Sequence, residues 1–170
     1  MRLAAVLMLS IMFTVPASLA AQSHDDHLHR GAREDSAFRA MQARGLLVMG
    51  VDQYTSVHRF DALPDGGRIE LRRDRDDSAG AATIRAHLRA IARAFAAGDF
   101  AGPATVHAQT VPGVPVMRAR RGAIRYEVSD VPRGAQLRVR SADSLAVDAI
   151  HRFLAYQRTE HHTASPAHAP

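Results

Sequence analysis

The sequence predicts an α+β fold: a two-layer sandwich of order ββα-ββα, with a four-stranded antiparallel sheet and two helices on one face. Three observations carry that expectation. Two segments, "VHRFDALPDGGRIELRR" and "IRYEVSDVPRGAQLRVRS", alternate apolar and polar residues on either side of a Pro/Gly turn. Each is followed by a stretch whose apolar residues recur at helical spacing. The two hairpins also overlay without gaps: Pro64 falls on Pro132, Gly66 on Gly134, Ile69 on Leu137 and Leu71 on Val139.

Taken in order, the chain begins with a stretch, residues 1–21, that has the form of a secretory signal. Arg2 precedes the apolar run Leu3 to Val15, and "ASLAAQ" offers cleavage after Ala20 or Ala21. That run falls short of the ~20 residues a membrane span needs, so no transmembrane segment is expected. The expected location is periplasmic or secreted. Residues 22–45 are polar, with a short helix expected around Glu34 to Ala43 that places Phe38 and Met41 on one side. The single α+β domain is assigned to residues 46–162.

In the first hairpin, parity turns His58, Phe60, Ile69 and Leu71 inward and Arg59, Asp61, Arg68, Glu70 and Arg72 outward. "SAGAATIRAHLRAIARAFAAGD" then carries the stripe Ile84, Leu88, Ile91 and Phe95, with Asp77 or Ser78 as N-cap and Gly98 as the stop. "FAGPATVHAQTVPGVPVMRARRG" reads as a packed connector, because His107, Val111, Val114, Val116 and Met117 give it material to bury. The second hairpin turns Ile124, Tyr126, Val128, Leu137 and Val139 inward. The last helix buries Val147, Ile150, Phe153 and Leu154. Residues 163–170, rich in Ala, Pro, Ser and His, read as a disordered tail.

Composition narrows the function classes. The chain has 170 residues, no cysteine and a formal net charge of +5. Disulfides, thiolate metal sites and a lipidated N-terminal cysteine are therefore excluded. All 22 basic residues are arginine, and 17 acidic residues interrupt them. Nucleic acid is not an expected partner of an exported chain. The outward sheet face, with Arg68, Arg72, Arg125, Arg138 and Arg140 among Glu70 and Glu127, is expected to form cross-strand ion pairs, or else to grip an anionic partner.

The histidines are the candidate site. His58 faces the helices from its strand, His87 lies on or beside the apolar stripe of the first helix, and His151 is placed similarly on the last. An inward histidine alone is ordinarily a neutral core residue. Three in one small layer need partners for six nitrogens, which a shared metal, a hydrogen-bonded network or a wet cleft would supply. His107 and Met117 in the connector are candidate further ligands, and His161 joins them if the last helix continues past Glu160. Imidazole with thioether suits copper, above all Cu(I), whereas imidazole with carboxylate suits zinc. His24, His27 and His29 form a separate local cluster with weak affinity for metals. At the helix C-terminus His161 and His162 are positioned to carry charge against the macrodipole.

Enzyme motifs are mostly missing. No G-x-S-x-G elbow, H-E-x-x-H or phosphate-binding glycine pattern is present. The one hydrolytic reading takes His58 as a general base oriented by Asp52 or Tyr54 on the same strand face. No catalytic residue is assigned on that basis. The leading expectation is a non-enzymatic, histidine-rich binding protein that takes copper before zinc, or another small ligand.

The strings "VMGVDQYTSVHRF", "LPDGGRIEL", "IRAHLRAIARAFAAGDFAGP", "VHAQTVPGVPVM" and "AIHRFLAYQRTEH" resemble a family of small exported bacterial proteins. The resemblance spans about Met49 to His161 and includes His58, His87, His107, His151 and His161. It implies no established biochemistry. Some members carry the label aspartate carbamoyltransferase, which does not suit this chain: it is about half the size, has the form of an exported protein and lacks the Ser-Thr-Arg-Thr phosphate-binding stretch.

Overall fold

Two tight turns, at Pro64–Asp65 and Pro132–Arg133, fold the chain into paired hairpins. The computed structural model describes residues 36–50 and 52–163. The chain divides into the units Met1–Ser36 and Ala37–Pro170, and the account below concerns the second. The signal segment, the His24–His29 cluster and the tail from residue 164 lie outside the described residues.

Strands β1 (Ser56–Leu63), β2 (Gly66–Arg73), β3 (Ile124–Val131) and β4 (Gly134–Ser141) form one antiparallel sheet in the order β1-β2-β4-β3. Helix α1 covers residues 36–49. It is followed by α2 (Ser78–Ala96), α3 (Ala101–His107), α4 (Val114–Ala119) and α5 (Ser144–Glu160). The α+β sandwich read from the sequence is therefore the fold. Asp77 is the N-cap of α2, accepting from the Gly80 amide, and Asp143 caps α5 by accepting from Leu145 and Ala146. Gly98, at φ +81°, lets the chain leave α2.

The expected connector is two short helices, α3 and α4, which bury Val106, Val114 and Met117, with Val111 buried in the link between them. The expected helix near the N-terminus runs on to residue 49 and belongs to the domain unit. It buries Met41, and its Arg44 donates to the Val106 carbonyl at 2.8 Å. Tertiary packing, invisible in its weak periodicity, extends it past Ala43.

The two hairpins are related by an internal pseudo-two-fold axis. The shift that carries Ser56 to Ile124 and Arg73 to Ser141 also carries Ile69 to Leu137, and those two residues pair with each other across β2 and β4. Gly66 pairs with Arg140 just as Arg72 pairs with Gly134. The axis thus passes between Ile69 and Leu137, both buried. Aligned on their aspartate caps, α2 and α5 correspond as well: Ile84 to Ile150, Leu88 to Leu154 and Phe95 to His161. Each helix covers the opposite hairpin, α2 packing on β3 and β4, and α5 on β1 and β2. This exchange places the end of α5 against the inward residues of β1.

Close approach of β2 and β4 requires glycine at two equivalent points. A Cβ on Gly66 would run into the Val139 carbonyl oxygen, and a Cβ on Gly134 into that of Leu71. Neither backbone can retreat without opening the central pairing. Gly66→Ala and Gly134→Ala are each expected to cost about 2–4 kcal/mol. Urea unfolding checks this; a loss under about 0.5 kcal/mol at either position would contradict it.

Candidate functional site

The site lies where β1, the end of α5 and α3 meet beneath α2. A chamber of ≈80 Å³ opens there, lined by His58, His87, His107, Gln157 and His161 among apolar walls that include Val48, Phe60, Leu88, Ile91, Phe95, Val106 and Phe153. A second, outer cleft of ≈350 Å³ is lined by Gln53, Ser56, Val57, His58, Arg59, His161, His162 and Thr163. His58 and His161 belong to both. They form the partition between an apolar interior and a polar approach.

Hydrogen bonds fix which nitrogen of each ring carries its proton. Ser56 Oγ has one proton and donates it to the Asp52 carbonyl at 2.8 Å, so it must accept from His58 Nε2 at 3.0 Å. His58 therefore keeps its lone pair on Nδ1. Gln53 Nε2 donates to the His161 carbonyl at 2.8 Å, which pins the amide; its Oε1 then accepts from Gln42 Nε2 at 2.7 Å and from His161 Nδ1 at 2.6 Å. His161 keeps its lone pair on Nε2. Among the described residues neither lone-pair nitrogen has a hydrogen-bond partner, and neither is closed off from the space around it.

The ring centres of His58 and His161 are 5.6 Å apart, and those of His107 and His161 are 5.3 Å apart. His107, the last residue of α3, sets Nε2 against Gln157 Oε1 at 3.1 Å. Its Nδ1 is buried without a hydrogen bond, 3.9 Å from Glu160, and Gln157 Nε2 is similarly orphaned. His87 is half-buried on α2 at the chamber wall.

Burial keeps these rings neutral. It pushes the His58 imidazole down to about 4, with His87 adding repulsion. It pushes His161 down to about 3, assisted by His58, His107 and His162. His87 is lowered by burial alone. His107 is lowered by burial and by Arg44, against the opposing pull of Gln157 and Glu160. The charged state expected of His161 at the helix terminus is therefore overturned: desolvation outweighs the macrodipole. His162 instead lies exposed and stacks on Phe38, ring centres 4.2 Å apart.

The pseudo-axis supplies an internal comparison. The counterparts of His58 and His161 are Tyr126 and Phe95, which meet edge-to-face at 6.0 Å. The Tyr126 hydroxyl is buried without a partner, and burial pushes its phenol far above the ordinary range. One half of the fold thus fills this junction with aromatic rings, and the other with imidazoles.

Other expectations fare differently. His151 lies on the flank of α5, its Nε2 2.9 Å from the Leu63 carbonyl oxygen, and is not part of the chamber wall. The buried stripe of α5 runs through Ala146, Ile150, Phe153, Leu154 and Gln157, one position away from it. Met117 is 1% exposed within the core, where α4 packs on α5, and also lies apart from the chamber. Asp52 and Tyr54 do not orient His58: the Asp52 carboxylate caps the Tyr54 amide at 2.8 Å, and Tyr54 is exposed. A Ser56–His58 catalytic pair also lacks support, because the serine proton goes to Asp52 and the imidazole's other nitrogen has no acid behind it. Among the described residues no three His, Asp or Glu side chains stand together in a way that could hold one ion.

The outer sheet face closes its charges on itself. Across the strands runs the row Asp61–Arg68–Arg138–Glu127, and beside it Arg59–Glu70–Gln136–Ser129; each is neutral in sum. Asp61 and Glu70 are buried beneath the guanidiniums of Arg68 and Arg72. The two end rows are unbalanced: in one Arg72 stands alone and pairs diagonally with Glu70, and in the other Arg140 faces Arg125 while Asp65 bridges Arg138 and Arg140.

Comparison with family models, curated proteins and solved structures finds no match in any of the three. Among the described residues no helix is long and apolar enough to cross a membrane.

The depressed imidazoles set a pH dependence. The unfolded chain takes up protons near pH 6.5 while the folded one resists, so stability is full above about 6.5 and falls as pH drops toward 4. The slope is about 1.4 kcal/mol per pH unit for each resisting histidine. Asp65, Asp77 and Asp143 hold lowered carboxyls whose contribution is lost mainly below about pH 5, at the acid end of this window. His58→Phe is expected to reduce the slope between pH 6 and 4.5 by about 1 kcal/mol per pH unit, read from urea unfolding. An unchanged slope would show that the folded protein protonates His58 freely.

Proposed function

We propose that this chain is an exported, non-enzymatic binding protein whose His58–His161 pair takes a metal ion, Cu(I) before zinc. The observation that carries the reading is the pair itself: two neutral imidazoles, each tied by one nitrogen to a side-chain oxygen and each keeping its other lone pair. That is the arrangement metal-ligating histidines adopt, with the second nitrogen fixing tautomer and ring direction. A nitrogen about 2.0–2.1 Å from an ion puts two ring centres roughly 5–6.5 Å apart, tetrahedral to linear. The 5.6 Å separation falls within that span.

Coordination number favours copper. Zinc asks for three or four protein ligands, whereas the described residues gather imidazoles in pairs. Cu(I), a soft d¹⁰ ion that accepts two imidazoles, needs no more. Low proton affinity also helps, because metal and proton compete for the same lone pair. The outer cleft gives the ion a polar approach, and the signal-like stretch at residues 1–21 supports an exported location. His87 and His107 line the same chamber but, among the described residues, complete no set of three around one ion, and His151 and Met117 have no part. An anionic partner on the arginine face is the weaker reading, since most of those guanidiniums are engaged within the face.

The test is anaerobic titration of the tagless full chain with Cu(I) against a colorimetric chelator. The expected result is about one equivalent retained by the wild type and by Tyr126→Phe, and lost when His58 and His161 both become alanine. Full retention by the double variant, with its circular dichroism unchanged, would overturn the proposal.

A further inference from the structure

We infer that the free edge of β3 is an interface for a second copy of this chain, joined strand to strand about a two-fold axis at Tyr126. The inference is independent of the metal reading.

The way the sheet is bonded opens that edge. β1 and β3 are the outer strands. The Arg73 amide donates to the Arg133 carbonyl, and the Ser141 amide to that of Asp65. Odd-numbered residues of β4 therefore bond toward β2 and even-numbered ones toward β3. Their partners in β3 are Arg125, Glu127 and Ser129. Ile124, Tyr126 and Val128 thus aim their backbone groups away from the sheet. Of these, among the described residues, only the Ile124 amide is spent, on the Arg121 carbonyl.

The internal symmetry shows how the same fold closes an edge. On β1 the Arg158 guanidinium donates to the Phe60 carbonyl at 2.6 Å, and His151 meets that of Leu63 at 2.9 Å. Leu63 corresponds to Val131, and there Arg85, the counterpart of His151, donates at 3.4 Å. Phe60 corresponds to Val128, but the counterpart of Arg158 is Ala92, which has no side-chain donor. One edge is capped at its middle and the other is left open. An open edge is a template for another strand.

The flanking charges commit that edge to its own copy. Arg125 and Glu127 are exposed, and among the described residues neither is in an ion pair. Arg125 instead faces Arg140 across the ladder. A two-fold axis at Tyr126 sets each Arg125 opposite the second copy's Glu127, a favourable cross-strand pair. Moving the axis one residue either way sets Arg125 or Glu127 against the same residue of the other copy. In the register at Tyr126 the two Tyr126 residues exchange both backbone bonds, and each Val128 amide donates to the other copy's Ile124 carbonyl. The ordinary strand spacing of about 4.8 Å puts the two α2 helices, which lie over β3 and β4, roughly 10 Å apart. Helices pack at that distance rather than clash.

The experiment is sedimentation velocity on the metal-free full chain at about 100 µM, where even a weak dimer is populated. The wild type is expected as a dimer. Arg125→Glu and Glu127→Arg each set like charges face to face and are expected to weaken it about tenfold or more. The combined swap, Arg125→Glu with Glu127→Arg, is expected to restore it. A wild type that stays monomeric overturns the inference, as does a dimer that both single variants leave unchanged. A combined swap that dimerises no better than the single variants, with its circular dichroism intact, overturns it too. Hydrogen exchange on the wild type reads the same contact without any substitution. The Tyr126 and Val128 amides are expected to exchange more slowly as protein concentration rises, and exchange independent of concentration contradicts the pairing.

Discussion

The contact on which the rest of the structure depends is the antiparallel pairing of β2 with β4 about Ile69 and Leu137. Gly66 and Gly134 let the two strands come together where any side chain would strike a carbonyl. That pairing makes one sheet from two hairpins, puts the pseudo-axis at its centre, and sends each helix over the other hairpin. Without the exchange, α5 would not end beside β1. His58 and His161, far apart in the chain, would never share a wall.

Burial then gives the two rings their chemistry. In water an imidazole is ready to accept a proton near neutral pH; inside this layer the charged form is starved of solvation, and the neighbouring rings penalise it further. Ser56 and Gln53 remove the remaining freedom by accepting one N–H from each ring. The result is a pair of fixed lone pairs at the edge of an apolar space. In the proposed function a cation takes up those lone pairs.

Much of this was legible in the residues. Alternation and turn chemistry marked both hairpins, helical spacing marked both long helices, and parity put His58 on the inner face. The ungapped overlay already held the pseudo-axis, although only the pairing of Ile69 with Leu137 shows that it is spatial. His151 was misplaced because helical spacing gives a stripe, and a residue one position off it points to a flank; Met117 is taken into the core where α4 packs on α5, which the connector's sequence does not encode. The orienting groups were harder. Gln157 sits in register with Phe153 and Leu154 on α5, so a polar residue in an apolar stripe was there to be noticed. Gln53 carries no such mark, since its role comes from where a single 3-10 turn meets the end of α5. The walls supplied by Val48 and Val106 depend on how α1 and α3 dock, which local periodicity does not encode.

The symmetry also supplies a comparison within the chain. At corresponding junctions one half carries Tyr126 and Phe95, and the other His58 and His161. Both fill space, but only the imidazoles come with polar side chains that aim them. Imidazole nitrogen-15 NMR on the full chain at pH 7 tests that claim most directly. The account expects two neutral rings of opposite tautomer, His58 protonated on Nε2 and His161 on Nδ1, with neither titrating above about pH 5. Rapid tautomer averaging at either ring, or a titration near pH 6.5, would contradict it.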